Sequence, residues 1–418
     1  MRTPTSLFFD FFIRPGVDRR REAALAKIRA RGTARVCLIA SSLSMWRLEG
    51  VWALMQRDSR FDCRILLIPL AKHSPETRAA EMQKLRDYFG KKGIAYHEED
   101  FFEEFDPDIV FYQQFYSHSY LDPVRACHNE HRLLCYTPYG VMFIDKKWQY
   151  NSRFHNVGWK IYMQSEAHRN TSRRLADNRG SNVVVVGDAD SDAFAEPGFE
   201  DVWKPQEHAK KRIIWAPHHK KLKRDSFEWT AAAMKEMALK YRDSVQFAFK
   251  PHPILKTYLY RDPAWGQEKT NEFWHFWESQ PNTQLETGAF IDLFKGSDAM
   301  IHDCNSFIAE YMYTGKPALF LSGNTDRIRA SFGEFGKAAI DAHYHGDKAE
   351  SIPAFIDKVV LGGEDELAPV RKDFADRYLR NETVPGSAGG FGTDSAGSIY
   401  SGFAASIVHD IASSIWPD

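Results

Sequence analysis

Three apolar runs in the second half of the chain break off into residues that bind or move charge. Residues 212–216 run into Pro217-His218-His219-Lys220-Lys221, residues 246–250 into Pro251-His252-Pro253, and residues 299–301 into His302-Asp303-Cys304-Asn305-Ser306. Each run has the length and apolar content of a buried strand. If the strands lie parallel in one sheet, the three turns share an edge. That edge then presents imidazoles, lysines and small polar groups together, the equipment for holding a diphosphate and stabilising its leaving group. His252 and His218 are the candidates for contacts at the reacting phosphate. His219, Lys220, Lys250, Asp303, Asn305 and Ser306 are the candidates for binding.

The third turn predicts a helix over 303–315. Cys304-Asn305-Ser306 supplies its cap, and Gly315-Lys316-Pro317 stops it. A helix that starts after a parallel strand turns free N–H groups and its positive dipole end toward the sheet's ligand crevice. Glu310, one turn in, is then placed to accept hydrogen bonds from ribose hydroxyls.

Other patterns carry less. His128-Asn129-Glu130-His131 has two histidines at helical spacing but no third metal ligand. His343 and His345 read as a surface loop, and Asp188-Ala189-Asp190 resembles a metal-binding DxD but falls in a linker. There is no Walker A loop, GxGxxG or GxSxG. No metal site is assigned and no cofactor is expected.

The elements that must position these residues alternate almost from end to end. Strands are expected at 35–40, 63–69, 109–112, 132–136, 160–164 and 182–186, then at 212–216, 246–250, 283–286, 299–301 and 318–321, with helical stretches between. Such alternation implies α/β architecture with parallel sheets and right-handed crossovers. The polar stretch 187–211 separates an N-terminal domain, 1–195, from a C-terminal domain, 205–398. Helix-like spacing at 399–418 suggests a terminal helix packed back on the first domain, after a Gly/Ser-rich segment at 386–402.

Composition narrows the function classes. With 418 residues, 27% charged and a net charge of −1, the chain is ordinary for a globular protein and shows no basic field for nucleic acid. Five cysteines without CxxC spacing suggest reduced thiols and a cytoplasmic setting. Residues 7–13 (LFFDFFI) are too short to span a membrane. With the arginines that follow, segment 7–21 could touch an anionic membrane surface, although docking of its aromatics on the protein's own core is the expectation.

The second-domain segments VVVVGDADSD (183–192), IIWAPHH (213–219), FKPHP (249–253) and DCNS with GKP (303–317), and more loosely DSAGS (394–398), resemble motifs of the CDP-glycerol glycerophosphotransferase family. These are teichoic-acid and capsule polymerase-type enzymes of GT-B fold. The resemblance implies two Rossmann-like, doubly wound domains facing a cleft: an acceptor domain first and a nucleotide-donor domain second. It implies His252 at the donor diphosphate, Asn305 and Ser306 at phosphate, Glu310 at ribose, and His218, His219 and Lys220 in the flanking loop. The implied activity is transfer of glycerol phosphate, or a related polyol phosphate, from a CDP-activated donor to a hydroxyl of a glycan or lipid-linked acceptor.

The pattern departs from the family where relatives carry His-Gly-Thr-Pro-Leu-Lys, whose histidine is the expected acceptor base. Here the strand ends in Tyr136-Thr137-Pro138-Tyr139-Gly140. Acceptor-side candidates are therefore Tyr139, Gly140, His118 and Asp122. A nucleotide-sugar glycosyltransferase of capsule or lipopolysaccharide synthesis fits the same residues. So do an isomerase of the UDP-GlcNAc 2-epimerase kind and a non-catalytic nucleotide- or glycan-binding protein.

Overall fold

The structure is a computed structural model that describes residues 3–116, 118–219, 226–288, 290–379, 392–393, 399–400 and 402–417. The chain divides into two compact units, Met1–Asp192 with Tyr378–Asp418, and Ala193–Arg377. The second unit thus ends at Arg377, short of residue 398.

The first unit is built on six strands: β1 (Ala34–Ala40), β2 (Phe61–Leu67), β3 (Ile109–Tyr112), β4 (Leu133–Tyr136), β5 (Lys160–Met163) and β6 (Val183–Val185). They pair in parallel in the order β2-β1-β3-β4-β5-β6. The short runs ARVCLIA and IVFY are β-rich and buried on both faces, as strands covered by helices on both sides must be. One core packs Val36, Leu38, Phe111, Cys135 and Tyr162 against the helices Arg14–Arg31, Glu49–Met55 and Pro75–Lys92 and the C-terminal helix Phe403–Ile415. That terminal helix is capped by Asp192, whose carboxylate accepts from Phe403 N at 2.8 Å and Ala404 N at 3.2 Å. Its Asp410 accepts from Tyr162 Oη and Lys160 Nζ, both at 2.9 Å. A second core, with Ile39, Tyr112, Tyr136 and Phe154, fills the opposite face.

The second unit repeats the architecture with β7 (Lys211–Ala216), β8 (Val245–Phe249), β9 (Thr283–Leu285), β10 (Ala299–His302), β11 (Ala318–Leu321) and β12 (Tyr344–Gly346). The order is β12-β11-β10-β7-β8-β9, again all parallel. Trp215, Phe249, Phe273 and Trp277 form an aromatic cluster under this sheet, with ring centroids 4.8–6.1 Å apart.

Several expectations need correction. Residues 343–345, expected in a surface loop, lead into and form part of the edge strand β12, and His343 is buried and donates through Nδ1 to Ala339 O at 2.9 Å. The helix expected over 303–315 is a single α turn, Phe307–Glu310, followed by the 3-10 turn Tyr311–Thr314. Ser306 has helical dihedrals and makes no side-chain cap. Its hydroxyl lies 3.2 Å from Cys304 Sγ. Of the N-terminal aromatics, Phe9 is buried as expected, but Phe8, Phe11 and Phe12 are 56–74% exposed. Among the described residues no helix is long and apolar enough to cross a membrane.

Candidate functional site

The strand order of the second sheet reverses between β7 and β10, because the chain builds outward from β7 through β8 and β9, then returns to β10. In open α/β sheets the loops at such a point part at the carboxyl ends of the strands, and ligands bind in the crevice. Here Pro217-His218-His219 leaves β7 on one side, and Asp303-Cys304-Asn305 leaves β10 on the other. A hydrogen bond spans the switch point: His218 N donates to Asp303 Oδ1 at 2.5 Å. Asp303 is buried, so its carboxylate braces the crevice floor.

The next loop along, after β8, is tied to the same place. His252 N donates to Pro217 O at 3.0 Å. This gathers three imidazoles. Ring centroids are 4.2 Å apart for His218 and His219, 4.8 Å for His218 and His252, and 4.7 Å for His219 and His252. Tyr258, on the helix after β8, stacks on His219 at 5.3 Å.

Hydrogen bonds fix the protons. His218 Nδ1 lies 3.2 Å from the His219 carbonyl, so it must donate. His252 Nδ1 accepts from Ile254 N at 3.4 Å, which leaves the proton of the neutral ring on Nε2. Burial, with repulsion from His218 and His219, pushes His252 down to about 4. His252 is therefore neutral near pH 7 and still offers one N–H donor.

Lys250, two residues before His252, is buried. Its ammonium donates to Gly288 O at 2.7 Å, and burial lowers it to about 8, with Glu286 opposing the fall. Cys304, raised to about 11 mainly by burial, feels the charges of Glu310 and Asp303. Glu310 is itself buried. Asn305 and Ser306 are half-buried after β10.

The structure thus brings His218, His219, His252 and Asp303 together, with Lys250 just past the end of β8 and Asn305, Ser306 and Glu310 in the segment after β10. Lys220 and the 394–398 motif lie outside the described residues. Sequence reasoning missed Tyr258 and the Asp303 brace, which depend on how loops meet across the sheet. One ring nitrogen from each of His218, His219 and His252 lies within 4.8 Å of the others.

In the first unit the acceptor-side candidates are spread along the carboxyl edge. Tyr139, His118 and Asp122 are exposed, and Asp122 pairs with His128 at 2.5 Å. Gly140 O accepts from Gln164 Nε2 at 3.3 Å.

No known family profile matches the sequence, and no curated protein is similar to it. Solved structures do resemble it. The S. aureus MnaA–UDP structure superposes with a TM-score of 0.60 at 13% identity, over 92% of this chain and 97% of that one. UDP-GlcNAc 2-epimerase from Neisseria meningitidis bound to UDP-GlcNAc gives 0.51 at 13% identity, over 83% and 100%. The wall teichoic acid polymerase TagF, as a variant soaked with CDPG, gives 0.56 at 11% identity, over 87% and 93%. The fold shared with these proteins is GT-B.

Proposed function

We propose that this GT-B protein is a transferase that binds a nucleotide-diphosphate donor at the carboxyl edge of its second sheet. The donor we favour is CDP-glycerol or a related CDP-polyol, and the acceptor a hydroxyl of a cell-surface glycan or lipid-linked acceptor. The observation that carries the reading is the braced crevice at the β7/β10 switch point, where Asp303 holds the loop that gathers His218, His219 and His252. Three imidazoles and a buried lysine are suited to a diphosphate and poorly suited to a neutral ligand.

In the reaction, an acceptor oxygen attacks the distal phosphorus and the bond to the CMP oxygen breaks, with CMP leaving as the anion. The hydroxyl proton passes to a base on the acceptor side. His252 Nε2–H and the Lys250 ammonium would hold phosphate oxygens whose charge rises as CMP departs, so catalysis is mainly positioning and charge stabilisation. Peripheral membrane contact through residues 7–21 belongs to the same reading. Phe8, Phe11 and Phe12 are exposed, and Arg19 is exposed further along the same helical stretch.

A second reading is an isomerase, supported by the likeness to UDP-GlcNAc 2-epimerase structures. A nucleotide-sugar glycosyltransferase uses the same phosphate site. The test is a donor panel (CDP-glycerol, CDP-ribitol, UDP-sugars and CMP-sugars) read by calorimetry and nucleotide release. CDP-polyol turnover that depends on an acceptor is expected. Product formed from a UDP-sugar without acceptor would make the protein an isomerase, and failure of every cytidine and uridine nucleotide to bind would refute both.

A further inference from the structure

Along the carboxyl edge of the first sheet, one face carries polar side chains that the fold leaves unsatisfied. Phe111, Cys135 and Tyr162 belong to one apolar core. Two residues beyond each, just past the ends of β3, β4 and β5, come Gln113, Thr137 and Gln164. Side chains alternate along a strand, so these three emerge on the face of that core. Gln113 and Thr137 are lateral neighbours, one step past the Tyr112–Tyr136 pair. Their exposures are 1%, 0% and 5% for Gln113, Thr137 and Gln164. Gln113 Oε1, Thr137 Oγ1 and Gln164 Oε1 have no hydrogen-bond partner among the described residues.

The amide nitrogens are engaged: Gln113 Nε2 donates to Met45 O, and Gln164 Nε2 to Gly140 O. What remains are two amide oxygens, which can only accept, and one hydroxyl, which can accept or donate. Buried polar atoms ordinarily have partners, and these three lie on the sheet edge where α/β folds take ligands, beginning at the β1/β3 reversal of strand order.

We propose that this edge is a recognition site for a neutral polyhydroxyl group, a sugar or polyol whose O–H groups donate to Gln113, Thr137 and Gln164. The inference rests on the transferase reading, in which this is the acceptor's site. An anion fits poorly. The two amide oxygens can only accept, and buried Asp188, just past β6, adds a carboxyl group at the same sheet edge. Arg47 is held by Asp190 at 3.6 Å.

The test uses the full chain without donor. Glycerol and the methyl glycosides of glucose, mannose, galactose and N-acetylglucosamine are titrated, with glycerol 3-phosphate as the anionic counterpart, by saturation-transfer NMR. At least one neutral probe should bind, tenfold or more weakly in Thr137→Val and Gln164→Met but unchanged in the exposed control Lys372→Ala. Thr137→Val should keep or raise the Tm, because it removes a polar atom that nothing satisfies. The site is overturned if no neutral probe binds, if glycerol 3-phosphate binds better than glycerol, if both variants bind normally, or if Thr137→Val lowers the Tm. CDP and UDP are titrated into the same samples. Nucleotide binding without saccharide binding removes this site and spares the transferase reading. Saccharide binding without nucleotide binding does the reverse.

Discussion

Replacing Asp188 by Asn should stabilise the first unit, and the gain should depend on pH in a specified direction. Asp188 follows β6, is 8% exposed, and accepts from Asp190 N at 3.0 Å. Burial first, then repulsion from Asp190, pushes its carboxyl up to about 7, with Asp192 adding to the rise and Arg47 opposing it. An unfolded aspartate titrates near 3.8. The folded protein therefore holds a proton more tightly than the unfolded chain. That contribution to stability is complete below about pH 4 and is lost as the pH rises to about 7. At about 1.4 kcal/mol per unit, ionised Asp188 costs the folded state about 4 kcal/mol above pH 7. Asparagine removes this cost, against which the hydrogen bond from Asp190 N is already counted. The expectation is a gain of about 4 kcal/mol at pH 8, shrinking steadily toward pH 4. Urea unfolding of wild type and Asp188→Asn at half-unit steps from pH 4 to 8.5 measures it. A gap of constant size across that range would mean a packing effect, and a variant less stable at pH 8 would refute the argument.

Three further outcomes are expected. Donor binding should take up a proton at His252: the free ring is held down to about 4, and a bound diphosphate raises it, so affinity should increase as the pH falls through the raised value. Calorimetry in two buffers of different ionisation heat reports that uptake, which His252→Ala should abolish along with most donor affinity. Ser306→Ala should weaken donor binding by about 1–2 kcal/mol if its hydroxyl meets phosphate. Because Ser306 caps nothing through its side chain, stability should change by under about 0.5 kcal/mol, and the reverse pattern would return it to a structural role. The double change Phe11→Ser and Phe12→Ser should abolish co-sedimentation with phosphatidylglycerol vesicles without lowering the Tm, since both rings are exposed. Undiminished vesicle binding would remove segment 7–21 from any membrane contact.

The sheets were legible in the sequence because a strand buried on both faces must be apolar throughout. ARVCLIA, IVFY and AMIH could hardly be read otherwise. β12 escaped because Tyr344-His345-Gly346 has no apolar run. It is a strand only through its pairing with β11. The DCNS turn promised a side-chain cap and a long helix, but Tyr311 is pulled into the core, where its hydroxyl meets Ser297 Oγ at 2.8 Å, and the second turn tightens to 3-10. Tertiary packing there outweighs a local signal.

The histidine cluster at the edge of the second sheet was readable for a reason that does not extend to the edge of the first. Histidines and lysines placed directly after apolar runs announce themselves by residue type, and parallel pairing alone carries them to one edge. At the other edge the informative residues are Gln113, Thr137 and Gln164, whose types are common at any loop start. What distinguishes them is that Gln113 spends its amide N–H on Met45 while its oxygen meets nothing, and that Thr137, one strand over, is in the same position. Satisfaction of a buried polar atom is a property of its neighbours on adjacent strands and loops, fixed only once β1, β3, β4 and β5 are assembled. A missing acceptor histidine in Tyr136-Thr137-Pro138-Tyr139-Gly140 therefore need not mean a missing site. It is equally what a site selecting hydroxyl donors over phosphates would contain, and the preference between glycerol and glycerol 3-phosphate separates the two.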